Sequence, residues 1–178
     1  ETIKKNYFDI VCVGEGEYPL LELVKSLEKG KIDCRIKNLW FKKNGKIIKN
    51  PLRPLIENLD ELPFPDREIY DYKKYLEWNR GTATFLTTRG CPYQCTYCIN
   101  QYLQNIYSNK GRYTRFRSVE NILKEIKEVV SKYKPKYIEF YDDTFTLDKN
   151  RIIEFSKRYK EIGIPFYVNI RVNSVDKE

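Results

Sequence analysis

The stretch TTRGCPYQCTYC, residues 87–98, decides how this sequence is interpreted. Its cysteines are Cys91, Cys95 and Cys98, so three residues separate the first pair and two separate the second. A loop this short can direct three thiolates at one iron–sulfur cluster, but it offers no nearby fourth ligand. Because a four-iron cluster ordinarily takes four cysteines, one iron would be left open, and an open metal site binds substrate or cofactor.

Strands and helices alternate around and after this stretch. Strands are predicted over residues 83–88, 136–141 and 165–171, and the first of them leads into the cysteine loop. Ser118 is predicted to cap a helix running to about Tyr133, and Asp148 to cap a second helix that ends at Gly163. The inward positions are Ile122, Ile126, Val129 and Val130 in the first helix and Ile152, Phe155 and Tyr159 in the second. This alternation predicts an α/β fold with parallel strands, in which three strands make only part of a barrel.

Polar residues follow each of these predicted strands. The cysteine loop follows the first, Asp142-Asp143-Thr144 follows the second, and Arg171 ends the third. Function in a βα barrel lies on loops at the carboxyl ends of the strands. These residues are therefore predicted to share one rim. A turn or helix cap is the alternative interpretation of Asp142 and Asp143.

The N-terminal part predicts the end of a doubly wound α/β domain. Residues 8–14, FDIVCVG, form an apolar run typical of a buried parallel strand, with Cys12 as a small buried residue. Residues 18–29 predict a helix whose apolar face carries Leu20, Leu21, Val24 and Leu27. A hairpin turning at Asn44-Gly45, a proline-rich linker over residues 50–66 and a short helix over residues 69–78 follow.

Composition narrows the class of protein. The net charge is +8, but the lysines are scattered, which favours a solvated surface over nucleic-acid binding. No apolar run approaches the length of a membrane span, and the polar start is unlike a signal peptide. Five cysteines, three of them clustered, indicate a reducing cytoplasm rather than a disulfide framework. Methionine is absent, so the chain is expected to be a piece of a longer protein.

Zinc is the alternative to an iron–sulfur cluster. A structural zinc ion usually takes four ligands, and the sequence has no histidine, so Cys12 or Cys34 would have to supply the fourth. That alternative is a zinc-stabilised module that binds RNA through its positive charge.

The spacing CxxxCxxC, with Tyr97 before the third cysteine, resembles the radical S-adenosylmethionine (radical SAM) enzymes. The resemblance implies that Cys91, Cys95 and Cys98 hold a [4Fe-4S] cluster whose open iron binds S-adenosylmethionine. It implies an enzyme that reductively cleaves S-adenosylmethionine to a 5′-deoxyadenosyl radical, which abstracts hydrogen from the substrate. It also implies a low-potential electron donor such as flavodoxin or ferredoxin.

Site residues follow from the same resemblance. Tyr97 matches the aromatic position at which the family contacts the adenine. Asp142, Asp143 and Thr144 stand where the family often carries Gly-Gly-Glu, which holds the methionine amino group, and the choice among the three stays open. Arg171 is the expected partner of the methionine carboxylate or another anion.

Three further stretches indicate a subgroup. Residues 9–17, DIVCVGEGE, are similar to the last strand and turn of a cobalamin-binding domain, in which Gly14, Glu15 and Gly16 line the nucleotide tail of the cofactor. Residues 59–66, LDELPFPD, and residues 140–145, FYDDTF, resemble the linker and the second-strand motif of the same subgroup. The resemblance implies cobalamin-dependent methyl transfer or rearrangement on a small-molecule or natural-product substrate.

The implied domain division has three parts. Residues 1–49 are assigned to the C-terminal remnant of the cobalamin-binding domain with its hairpin, and residues 50–82 to a linker with a short helix. Residues 83–178 are assigned to the N-terminal half of the radical SAM barrel.

Overall fold

The computed structural model describes residues 1–174 and divides into two compact units. The first unit comprises Glu1–Ile56 and Leu103–Gly111, and the second comprises Glu57–Tyr102 and the chain from Arg112 onward. No helix among the described residues is both long and apolar enough to cross a lipid bilayer.

The first unit is built on an antiparallel sheet. Its elements are β1 (Ile10–Cys12), α1 (Glu17–Glu28), β2 (Leu39–Lys43) and β3 (Lys46–Lys49), and the strand order is β1-β2-β3. The predicted hairpin is confirmed. Asn44 and Gly45 have φ angles of 50° and 70°, the left-handed conformation that a two-residue turn of this kind requires.

Two predictions about this unit are wrong. β1 pairs antiparallel with β2 through Ile10–Phe41, Val11–Trp40 and Cys12–Leu39, rather than lying in a parallel sheet, and Cys12 is exposed. The helix predicted over residues 18–29 is confirmed as α1, and its apolar residues Leu20, Leu21, Val24 and Leu27 are exposed. An apolar run predicts a strand but does not specify the direction of its partner, and no element among residues 1–174 covers this face of the helix.

The second unit holds the predicted parallel sheet. Its elements are α2 (Tyr72–Trp78), β4 (Thr82–Phe85), β5 (Thr88–Arg89), the start of α3 (Ile99–Ile106), β6 (Arg115–Phe116), α4 (Val119–Tyr133), β7 (Tyr137–Phe140), α5 (Lys149–Tyr159) and β8 (Phe166–Val168). The strand order is β4-β7-β8, and both pairings are parallel. The α/β class and the βα alternation are therefore confirmed.

The core of this unit lies between the sheet and its helices. Alternate strand residues point into it, namely Ala83, Phe85, Ile138 and Phe140, and α4 and α5 contribute Ile122, Ile126, Val129, Phe155 and Tyr159. Both predicted helix caps are confirmed. The Ser118 side chain accepts from the backbone N–H of Asn121, and the Asp148 side chain accepts from that of Arg151.

The segment around the cysteine loop differs from the prediction. The strand predicted over residues 83–88 is split into β4 and β5, and β5 pairs antiparallel with β6. The split occurs because the backbone N–H groups of Thr87 and Thr88 donate to the carboxylate of Asp142 instead of extending the β4–β7 ladder. Helix α3 follows the last cysteine directly and was not predicted.

Candidate active site

Asp142, which follows β7, closes the turn between β4 and β5. Its Oδ1 accepts from the backbone nitrogens of Thr87 and Thr88, each at 2.7 Å, and its Oδ2 accepts from the Thr87 hydroxyl at 2.5 Å. Burial raises the pKa of Asp142, and these hydrogen bonds oppose the rise. The structure thus favours the turn-cap interpretation of Asp142 over a direct cofactor contact.

Cys91 is the buried member of the cysteine loop. Its Sγ lies 3.8 Å from Oγ1 of Thr144, a residue that follows β7. The chain enters the loop through Gly90, whose φ is +79° and whose place leaves no room for a side chain. A Cβ there would lie 2.4 Å from the backbone oxygen of Tyr113. The cysteine loop therefore packs tightly at Gly90 against Tyr113, in the segment before β6.

Arg171 reaches the loop from the chain beyond β8. Its guanidinium lies 3.9 Å from the centroid of the Tyr93 ring, and its Nη1 donates to Sγ of Cys95 at 3.2 Å. The hydrogen bond to Cys95 raises the pKa of Arg171. A permanent positive charge therefore stands beside the second cysteine, as an anion-binding role requires.

Asn100 connects the third cysteine to the acidic strand end. The side chain is 4% exposed, and its Nδ2 donates to Sγ of Cys98 at 3.5 Å and to Oδ2 of Asp143 at 3.0 Å. The hydroxyl of Tyr113 donates to Oδ1 of Asn100 at 2.7 Å. Burial raises the pKa of Tyr113 to about 12, and the charge of Asp143 adds to the rise, so the phenol stays protonated and remains a donor.

Tyr97 points away from this network. Its side chain is 90% exposed, although the cysteines on either side along the loop are partly covered. The predicted rim residues Asp143, Thr144 and Arg171 are brought to the cysteine loop, whereas Asp142 lies beneath it.

The predicted nucleotide-tail residues, Gly14–Gly16, lie in the first unit. The backbone oxygen of Glu15 accepts from Nδ2 of Asn38 at 2.9 Å, and its Oε2 accepts from the backbone nitrogen of Ile56 at 2.8 Å. The backbone nitrogen of Glu15 donates to the hydroxyl of Tyr107 at 3.2 Å. The turn is thus well fixed within its own unit, and a cofactor role for it stays a prediction.

The thiols are arranged differently from a single-ion site. Within residues 1–174 no three Cys, Asp or Glu side chains converge on a point that could hold one metal ion. A tetrahedral zinc ion needs thiolates about 3.8 Å apart, given its bond length of about 2.3 Å. A four-iron cluster instead takes each cysteine on a different iron, so its ligands stand further apart. The donor set, three thiols that form no disulfide and that each lie beside a different polar side chain, fits a cluster.

Sequence reasoning missed three residues of this site, namely Tyr93, Asn100 and Tyr113. Asn100 is a polar residue two positions after the last cysteine, on a helix that directly follows the loop. That position could have marked it as a candidate. Tyr113 offers no local signal, because its role depends on a contact with a residue 13 positions away.

Comparisons with known proteins concern this same region. The family model described as the radical SAM superfamily matches residues 85–178. A protein of Pyrococcus horikoshii described as an uncharacterized methyltransferase is 38% identical over 96% of this chain and 36% of its own length. The anaerobic magnesium-protoporphyrin IX monomethyl ester cyclase of Rubrivivax gelatinosus is 26% identical over 95% of this chain and 30% of its own length.

A solved structure is similar as well. OxsB, a cobalamin-dependent S-adenosylmethionine radical enzyme whose structure contains aqua-cobalamin and S-adenosylmethionine, superposes with a TM-score of 0.71. It is 26% identical, and the match covers 94% of this chain and 24% of OxsB. The chain therefore spans about a third of the length of the curated relatives that it matches.

Proposed function

Since the chain belongs to the radical SAM superfamily, we propose that Cys91, Cys95 and Cys98 hold a [4Fe-4S] cluster and that S-adenosylmethionine binds beside it. The observation that carries the proposal is the convergence of polar partners on the three thiols. Thr144 from the end of β7, Arg171 from beyond β8 and Asn100 from α3 each lie at a different cysteine. When bound, the cluster and S-adenosylmethionine supply the reductive cleavage that gives a 5′-deoxyadenosyl radical.

The chain's own residues bind and orient these groups. Asp143 is an exposed carboxylate at the strand end with one oxygen held by Asn100, which suits it to accept from the methionine amino group. Arg171 offers a guanidinium to the methionine carboxylate. Tyr97, exposed on the loop, is the proposed adenine contact.

We further propose that the whole protein is a cobalamin-dependent enzyme of methyl transfer or rearrangement. The support is the similarity to the Pyrococcus methyltransferase, the Rubrivivax cyclase and OxsB. The domain assignments, residues 1–49, 50–82 and 83–178, belong to this proposal, as does Gly14–Gly16 as part of the cobalamin site. The proposed partners are a small-molecule substrate and a low-potential electron donor such as flavodoxin or ferredoxin. A cytoplasmic location is proposed because cluster ligands must remain reduced.

Anaerobic reconstitution with iron and sulfide tests the cluster. We expect the chain to bind about four iron and four sulfide ions and to gain the broad visible absorbance of an iron–sulfur protein. Cys95→Ala should lose most of both, because a loop ligand is removed. Cys34→Ala, which removes a thiol outside the loop, serves as the matched control and should retain both. Stoichiometric zinc without iron, or a cluster unaffected by Cys95→Ala, would overturn the proposal.

A further inference from the structure

We infer that Asn100 is a positioning residue that joins the Cys98 thiolate to the Asp143 carboxylate, and that it thereby sets both the reduction potential of the cluster and the affinity for S-adenosylmethionine. The inference rests on the proposed function, because it concerns the same cluster and the same cofactor. It assigns a role to a residue outside the CxxxCxxC motif.

The three neighbours of Asn100 determine the orientation of its amide. A thiolate and a carboxylate are both acceptors, so the NH₂ group must face Cys98 and Asp143. The amide oxygen then faces the hydroxyl of Tyr113, which is a donor. The two amide hydrogens and the oxygen are therefore each matched by a partner of the opposite kind. Rotating the amide by half a turn would set an oxygen against two acceptors.

Burial makes this arrangement rigid. Asn100 is 4% exposed, so water cannot readily replace a lost partner, and leaving a buried polar group unsatisfied is unfavourable. Asp143 is exposed at the strand end, yet its Oδ2 is held by Asn100 at 3.0 Å. The Asp143 carboxylate is thus held beside Cys98 through Asn100.

The hydrogen bond to Cys98 acts on the cluster. One-electron reduction adds a negative charge to the cluster, and part of this charge resides on the ligating sulfur atoms. A donor to a ligating sulfur stabilises the reduced form and raises the reduction potential. Removing the donor should therefore make the cluster harder to reduce. Removing the link to Asp143 should weaken cofactor binding, since that carboxylate is no longer held in place.

The test compares two leucine substitutions on helix α3. Asn100→Leu keeps the branched shape and the number of side-chain heavy atoms and removes all three hydrogen bonds, whereas Asn105→Leu makes the same change at an exposed position of the same helix. The full chain is reconstituted anaerobically and titrated with dithionite, the signal of the reduced cluster being followed by electron paramagnetic resonance. At a fixed potential we expect the reduced-to-oxidised ratio of Asn100→Leu to be about tenfold lower, equivalent to about 59 mV. Its dissociation constant for S-adenosylmethionine should rise about tenfold.

Tyr113→Phe provides a second variant, since it removes only the hydroxyl that orients the amide. It should lower the same ratio about threefold and weaken S-adenosylmethionine binding in the same direction. Asn105→Leu should match the unmodified chain in both measurements. If Asn100→Leu takes up no cluster, the reduction potential and the S-adenosylmethionine affinity of Tyr113→Phe are the measurements that test the inference. An unchanged potential and affinity in the variants that take up a cluster would overturn the inference. Failure of the unmodified chain to take up a cluster would instead overturn the proposed function.

Discussion

Gly90 is the residue at which the backbone of the cysteine loop is most constrained. Its φ of +79° lies in the left-handed region, and a Cβ would lie 2.4 Å from the backbone oxygen of Tyr113. Gly45, in the hairpin, has a similar φ of +70° but open space around the same position. The pair therefore separates backbone strain from steric contact.

Alanine substitution should lower stability at both positions, by different amounts. Gly45→Ala should lower the free energy of unfolding by about 1 kcal/mol, because an L residue is strained at positive φ. Gly90→Ala should cost about 1–3 kcal/mol more, because the new methyl group forces the backbone near Tyr113 to move. Urea denaturation of the two variants measures the difference. Equal losses would show that the loop has more room than the structure gives it.

At the scale of single elements, helix α4 is tied to its surroundings by one buried charge. Glu125 is 2% exposed, and its two carboxylate oxygens accept from Arg67 Nη2 at 2.7 Å and from Arg117 Nη1 at 2.5 Å. Arg67 lies before α2 and Arg117 follows β6, so one helix residue joins two segments that are distant in sequence. These ion pairs position the chain that leads into α4. None of the three residues belongs to the cysteine loop.

Glu125→Gln should destabilise the second unit by about 3–5 kcal/mol. The substitution keeps the shape of the side chain but leaves two largely buried guanidinium groups without a counter-charge. Glu120→Gln, on the same helix, is the matched control. Glu120 and its partner Arg158 are both exposed, so Glu120→Gln should lower the free energy of unfolding by no more than about 1 kcal/mol. Guanidinium chloride midpoints for the two variants check this, and similar losses would contradict the buried role of Glu125.

At the scale of the whole molecule, the sequence predicted whatever depends on local chemistry. Ser118 and Asp148 cap their helices because a short polar side chain can satisfy the first backbone N–H groups. Asn44-Gly45 turns the hairpin because both residues tolerate positive φ. Part of the site was also predicted from local sequence, because the cysteine spacing and the position of Asp143, Thr144 and Arg171 after predicted strands can be recognised in the sequence.

The features that escaped prediction depend on partners distant in sequence. The direction of β1 is set by β2, which begins 27 positions later, and no pattern within residues 8–14 specifies it. The break between β4 and β5 is caused by Asp142, more than 50 residues away. The contact between Tyr113 and Asn100 likewise requires the fold before it can be seen.

The exposed face of α1 has a consequence for the behaviour of the whole chain. Leu20 and Val24 are 61% and 43% exposed on a helix whose apolar residues share one side. Exposed apolar patches promote association. Leu20→Lys combined with Val24→Lys should therefore reduce self-association in sedimentation velocity, while the free energy of unfolding changes by no more than about 0.5 kcal/mol.

The control for this variant is Ile122→Lys, which places the same charge at a buried position of α4 and should abolish folding of the second unit. If the double lysine variant lost more than about 2 kcal/mol of unfolding free energy, the α1 face would have to be covered in solution.

The order in which the side chains around the thiols occur along the chain also matters during synthesis. Cys98 leaves the ribosome well before Thr144 and Arg171, the residues that lie beside the first two cysteines. At the usual rate of translation the delay between Cys98 and Arg171 is roughly 4–15 s. During that interval Cys91 and Cys95 lack the side chains that later lie beside them, whereas Asn100, the donor to Cys98, follows that cysteine by only two residues. Loading of iron and sulfide is therefore expected to follow completion of this segment, and oxidants in the cell have their best access to the cysteines before it.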